Sequence, residues 1–85
     1  MTFLVIVEKV KDYPEEVLTR HRAFLSENRK LGKVIQNGPF GDGSGGAYTV
    51  AAESIEEAER FTDRDPLKQA GDYARYVIHP WLLNP

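Results

Sequence analysis

The run Phe3-Leu4-Val5-Ile6-Val7-Glu8-Lys9-Val10 (FLVIVEKV) decides how this chain folds. It starts apolar on both alternating faces and is rich in β-branched side chains, which marks a central strand covered on both sides. Asp12-Tyr13-Pro14 breaks the run, and Pro14 suits the first turn of a helix, where its missing N–H is not needed. Beyond it the apolar period changes from two to about 3.6. Val17, Leu18, His21, Phe24, Leu25, Asn28 and Leu31 then share one side of a helix from Pro14 to Leu31. Gly32 stops that helix as a left-handed C-cap.

The remaining elements follow by the same reasoning. Lys33 to Asn37 (KVIQN) is a short strand, Gly38 to Gly46 a glycine-dense turn, and Ala47 to Glu53 (AYTVAAE) a strand that pairs back as a hairpin. Ser54 with Glu57 three residues on forms a capping box, and Ile55, Ala58, Phe61 and Thr62 make the inward stripe of a second helix. Asp65-Pro66 ends it, because a residue before proline is pushed out of the α region. Pro66 starts a short turn through Ala70 and Gly71, and Tyr73 to Leu82 (YARYVIHPWL) is the last strand. Tyr73, Arg75, Val77, His79 and Trp81 lie on one of its faces, and Pro80 points to an edge position or a bulge. The expected fold class is α+β: a single domain over residues 1–85 with a ferredoxin-like β-α-β-β-α-β order and two helices on one face of an antiparallel sheet. The uncovered face carries too many apolar and aromatic side chains for a monomer, so two sheets are expected to pack together in a homodimer.

Composition narrows the function. No cysteine is present, which removes disulfides, thiolate nucleophiles and thiolate metal ligands. Eleven Lys and Arg against thirteen Asp and Glu give a net charge of −2, which argues against nucleic acid as a partner, since that needs a concentrated basic face. Arg20, Arg22, Arg29, Lys30 and Lys33 interleave with Glu15, Glu16 and Glu27 and read as a solvated helix surface. The longest apolar stretch is far short of the ~20 residues that span a bilayer, and no signal-peptide pattern opens the chain. No membrane association and a cytoplasmic location are the expectations.

His21 is the residue on the helix stripe that carries chemistry. An imidazole among apolar neighbours must find a hydrogen-bond partner and also titrates near neutrality, which suits proton transfer. It reads either as a satisfied core histidine or as a general base. Asp65 reads either as a capping aspartate ahead of proline or as the carboxylate that fixes the tautomer of such a base. Ser44 sits in Gly-Asp-Gly-Ser-Gly-Gly, outside the strand-turn-helix context of a nucleophile elbow. The same glycines lack the Gly-Lys-Ser/Thr of a phosphate loop and read as a connecting loop or a lid. His21 and His79 are the only histidines and are far apart in sequence, so neither a metal nor another cofactor is expected. Phe40, Tyr48, Tyr73 and Trp81 are candidates for an apolar pocket around a flat aromatic ligand, with tyrosine hydroxyls orienting its oxygens and His79 on the adjoining sheet face.

The order of these features carries a resemblance. His21 is followed by Gly32, then by Val-Ile-Gln-Asn-Gly-Pro (34–39), the glycine-rich hairpin, Arg64-Asp65-Pro66-Leu67 and Pro80-Trp81. Across essentially the whole chain this resembles the YCII-related family, whose pattern is a helix histidine, a G-x-h-x-x-G-P stretch with h apolar, and an N/R-D-P motif after the second helix. The resemblance implies a fold similar to muconolactone isomerase, a dimeric α/β barrel, and a His-Asp dyad at His21 and Asp65. Many members carry an arginine three residues before the histidine, where this chain has Leu18. The best-defined activity of the family is dehydrochlorination of a chlorinated hydroxyhydroquinone. A cofactor-independent lyase acting on a small aromatic or cyclic compound is therefore the implied function. The alternative is a small-ligand-binding or dimerisation module in which His21 and Asp65 form a structural bond.

Overall fold

The computed structural model describes residues 1–85. Strand β1 (Thr2–Lys9) leads into helix α1 (Glu15–Lys30), then strands β2 (Val34–Pro39) and β3 (Gly45–Ala51), helices α2 (Ile55–Asp63) and α3 (Pro66–Gln69), and strand β4 (Ala74–Pro80). All pairings are antiparallel, and the sheet order is β2-β3-β1-β4. The apolar run at residue 3 thus becomes one of two inner strands, while the proline-bearing β4 takes an edge, where its missing donor disturbs no ladder on its outer side.

The expected barrel does not form. The chain builds an open four-stranded sheet with β2 and β4 as free edges, and closing a sheet demands more strands and a consistent stagger of register. The twofold cover expected for β1 is likewise absent within the chain. Phe3, Val5 and Val7 are buried against the helices, whereas Leu4 and Ile6 on the other face are only partly covered. A period-two pattern reports which side chains share a face but does not say what, if anything, covers that face.

The helices end for local reasons. At the end of α1 the Gly32 N–H donates to the Arg29 carbonyl and the Lys33 N–H to the Asn28 carbonyl, with Gly32 at φ +77°, a Schellman closure that needs the left-handed residue. Leu31 is the C-cap and lies exposed outside the stripe. Asn28 is buried because its amide donates to the Phe24 carbonyl one turn back. At α2 the Ser54 hydroxyl accepts from the Glu57 N–H, and Glu57 in turn accepts from the Glu53 N–H and pairs with Lys33 at 2.6 Å. That ion pair ties the helix start to the segment before β2.

Between sheet and helices lies one core, with Phe61 at its centre. Its ring stands 5.0 Å from that of Phe24 and 6.0 Å from Tyr48, the latter edge-on, both favourable quadrupole arrangements. The glycine-dense segment is an ordered hairpin in which Asp42 accepts from the Ser44 N–H. Gly45 and Gly46 belong to β3 itself. At Gly45, φ is +142° and a Cβ would lie 1.9 Å from the Val7 carbonyl oxygen. Gly45→Ala is expected to lower stability by about 2 kcal/mol or more through backbone strain and that clash, read as a fall in the urea midpoint.

Candidate active site

The most constrained group in the molecule is the carboxylate of Asp65, which is fully buried. It follows the last turn of α2 and is the N-cap of α3, where one oxygen accepts from the Leu67 N–H at 3.0 Å. Pro66 at the first helical position leaves that oxygen the N–H groups further in. The same carboxylate accepts from the Tyr76 hydroxyl at 2.7 Å and from His21 Nδ1 at 2.8 and 2.9 Å to its two oxygens. The capping and the dyad readings of Asp65 are therefore compatible: one side chain does both.

Because the carboxylate is the shared acceptor, the His21 hydrogen sits on Nδ1. All hydrogen bonds of His21 within the protein are made by that nitrogen, so Nε2 has no partner in the chain. The imidazole is mostly buried, with 13% of the side chain exposed, and it lines a cleft of about 220 Å³. One wall is α1, through Leu18, His21 and Arg22; the opposite wall is the β2–β3 hairpin, where Gly38, Gly45 and Gly46 contribute no side chains. The close approach of Gly46 to Gly38, where a Cβ would meet the carbonyl oxygen at 2.7 Å, keeps that wall flat. Such an arrangement can move a proton between a bound molecule and Nε2 while the carboxylate stabilises the imidazolium.

Of the residues named from sequence as a ligand pocket, the fold brings Tyr48 to this cleft and leaves the others elsewhere. Phe40 and Trp81 line a separate hollow of about 320 Å³ with Leu4 and Thr49 on the uncovered side of the sheet, which meets the cleft along the hairpin at Asn37–Pro39, Ala47 and Tyr48. His79 is exposed on β4, opposite Leu4 in register. Tyr73 precedes β4 and packs against the core beneath the Lys11 ammonium, 4.8 Å from its ring centre. The reason is the pleat: Arg75, Val77 and His79 face away from the helices, and Tyr76 faces toward them.

Three residues at or behind the cleft are not legible in the sequence as site residues. Tyr76 carries a signal, since a tyrosine on a helix-facing strand position needs a partner for its hydroxyl. Tyr13 reads as part of a chain break and Arg22 as a solvated surface charge; both line the cleft. Burial raises the Tyr76 and Tyr48 hydroxyls well above the usual tyrosine value, reinforced in both by the charge of Asp65 and in Tyr76 also by its bond to that carboxylate. Burial likewise raises Tyr13, with the nearby Lys9 opposing and Asp65 adding.

Residues 1–82 match the family described as the YCII-related domain. The chain belongs to that family. A similar protein, the uncharacterized protein YjpA of Bacillus subtilis (strain 168), is 32% identical over 83 residues, covering 98% of this chain and 96% of its own. Among solved structures, 5-chloro-2-hydroxyhydroquinone dehydrochlorinase (TftG) from Burkholderia phenoliruptrix AC1100, in complex with 2,5-dihydroxybenzoquinone, is similar with a TM-score of 0.72 and 24% identity, over 99% of this chain and 96% of that one. At that identity the likeness is one of fold. Membership of the family holds while the closed barrel attached to it does not, because the sheet of this chain is open. No helix is long and apolar enough to cross a membrane.

Tyr76→Phe is expected to destabilise the fold by about 1.5–3 kcal/mol at neutral pH, the usual worth of a hydrogen bond to a charged group, checked by urea titration. All three raised tyrosines favour the folded state up to the ordinary value of 10.0. Above it the unfolded chain releases phenolic protons that the folded chain retains, so stability falls as pH rises. Tyr76→Phe should make that alkaline fall shallower.

Proposed function

We propose that the protein is a cofactor-independent lyase that uses His21 and Asp65 for general acid–base chemistry on a small hydroxylated aromatic ring. The observation that carries this reading is the bond of His21 Nδ1 to a fully buried carboxylate, with Nε2 left free in a cleft. Family membership and the shared fold with a dehydrochlorinase add to it. The specific reaction proposed is loss of HCl from 5-chloro-2-hydroxyhydroquinone, the substrate named for that enzyme.

The chemistry balances without an external oxidant. His21 Nε2 takes a hydroxyl proton and returns it to the chlorine-bearing ring carbon, giving the keto tautomer. The base then takes a second hydroxyl proton, that O–H pair becomes a C=O bond, and chloride leaves with the carbon–chlorine pair. One C–Cl bond has become C–H while the hydroquinone has become a hydroxyquinone. Asp65 orients the ring of His21 through both steps and stabilises the imidazolium that forms between them.

The alternative, a ligand-binding module in which His21–Asp65 is structural, draws on the capping bond of Asp65 to Leu67 and on its bond to Tyr76. His21→Asn separates the two, because the asparagine amide can keep the bond to Asp65 while Nε2 is lost. Chloride release is expected to fall by about 10²–10⁴-fold with the circular dichroism spectrum unchanged; undiminished turnover in this variant would sink the lyase reading.

A homodimer is also proposed, with Leu4, Ile6, Val77 and Trp81 on the uncovered sheet face as its contact surface. Val77 and Trp81 are 37% and 41% exposed there, a large apolar presence for so small a domain. Light scattering is expected to give twice the chain mass, and Ile6→Glu to return it to the monomer value.

A further inference from the structure

Two bonds besides the one to His21 hold the Asp65 carboxylate, and they fall on different oxygens. The Leu67 N–H donates to Oδ1 at 3.0 Å and the Tyr76 hydroxyl to Oδ2 at 2.7 Å. His21 Nδ1 stands 2.8 Å from Oδ1 and 2.9 Å from Oδ2, so its hydrogen points between them. The last torsion of an aspartate side chain has only a broad preference, and burial alone does not set the plane of its carboxylate. Here a backbone group of α3 pins that plane at one oxygen and a side chain of β4 pins it at the other. The plane in turn fixes the ring of His21 and the direction of Nε2.

The two pins differ in strength. At 2.7 Å the Tyr76 bond has the length of a charge-assisted O–H···O⁻ bond. Burial raises the Tyr76 hydroxyl well above the usual tyrosine value, and the charge of Asp65 and the bond to it add to the rise. The phenol therefore keeps its proton throughout the range in which an imidazole titrates. A carboxylate partner raises the proton affinity of an imidazole, and a permanent donor to that carboxylate lowers it again by drawing off negative charge. The most effective general base has a proton affinity matched to the working pH, so such moderation has a use.

No other titratable side chain bonds to the His21–Asp65 pair. Tyr13, ahead of α1, and Tyr48, on β3, are both raised by burial and then by the charge of Asp65, so both stay neutral near pH 7. Arg22 of α1 lines the cleft, whereas β1 and β2 bring Val7 and Asn37 there and no charge. From α3 the Lys68 ammonium lies 5.5 Å from the centre of the Tyr76 ring and donates to Thr62 and Asp63. Arg64, after α2, lies over the Phe61 ring. Arginine and lysine hold their charge across the imidazole range, which leaves the Tyr76 bond as the link by which β4 acts on His21.

We infer that Tyr76 is a positioning residue for the His21 base: its hydroxyl fixes the plane of the Asp65 carboxylate and moderates the proton affinity of Nε2. The inference rests on the reading of His21 as the base and adds the group that tunes it. Tyr76 does not line the cleft and acts only through Asp65.

The test is NMR titration of the His21 ring in the ligand-free protein, wild type against Tyr76→Phe. Loss of the hydroxyl should raise the midpoint by about 0.5–1 pH unit, a fraction of the worth of a hydrogen bond to a charged group. The acid limb of kcat/KM for chloride release, which reports the base of the free enzyme, should move to higher pH by the same interval. Tyr76→3-fluorotyrosine supplies a more acidic phenol of nearly the same size and should lower the midpoint; this arm decides alone if the phenylalanine variant fails to fold. Ile78→Ala loosens the helix-facing side of the same strand without touching Asp65 and should leave the midpoint where it is. An unchanged or lowered midpoint in Tyr76→Phe, an unchanged or raised one with fluorotyrosine, or an equal rise in Ile78→Ala would each overturn the inference. Turnover is scored separately: the expected midpoints without chloride release by the wild type overturn the lyase reading alone, and chloride release with an unmoved midpoint overturns this inference alone.

Discussion

The structure depends on one buried charge. The carboxylate of Asp65 has no exposed surface, and taking such a group out of water costs several kcal/mol unless its lone pairs are met. Three donors from three elements meet them: the Leu67 N–H of α3, the Tyr76 hydroxyl of β4 and His21 Nδ1 of α1. Only Leu67 is a near neighbour in the chain. The requirement to satisfy this carboxylate therefore fixes how the first helix, the last strand and the turn after the second helix sit against one another. It also sets the orientation of the imidazole, whose Nε2 takes no part in the bonds to Asp65.

The rest of the site is shaped by where side chains are absent. Gly38, Gly45 and Gly46 let the hairpin approach closely and leave one wall of the cleft as backbone. The glycine-dense segment accordingly acts as an architectural wall, held by the Asp42–Ser44 turn. Opposite it, α1 presents Leu18, His21 and Arg22 along one face. Tyr13 and Tyr48 close the remaining sides with hydroxyls that find no acceptor in the protein. A domain of this size has little room for a cavity inside its core, and it makes one at the seam between helix and hairpin instead.

Much of the architecture is legible in the order of the residues. The β-branched run at Phe3, the change of period at Pro14, the Gly32 stop and the Ser54–Glu57 cap locate most element boundaries closely, because propensity, capping and turn chemistry act over a few residues. The pairing of His21 with Asp65 is legible only through the resemblance to a family, since 44 residues separate them and either has an ordinary structural explanation. What lies across space is not written in local pattern. The closed barrel fails as an expectation because an alternating pattern tells which residues share a face and not how a sheet ends; here β2 and β4 remain free edges.

The aromatic residues show the same division. By itself the sequence determined their number, their phase along each strand and the chemistry of their tips. Only the tertiary structure decided that Tyr48 and Tyr13 meet at His21, that Tyr76 reaches Asp65, and that Phe40 and Trp81 lie around the sheet in a different hollow. The physical reason is that local rules set dihedral angles and faces, whereas the partner of a buried polar atom is chosen by packing among elements distant in the chain.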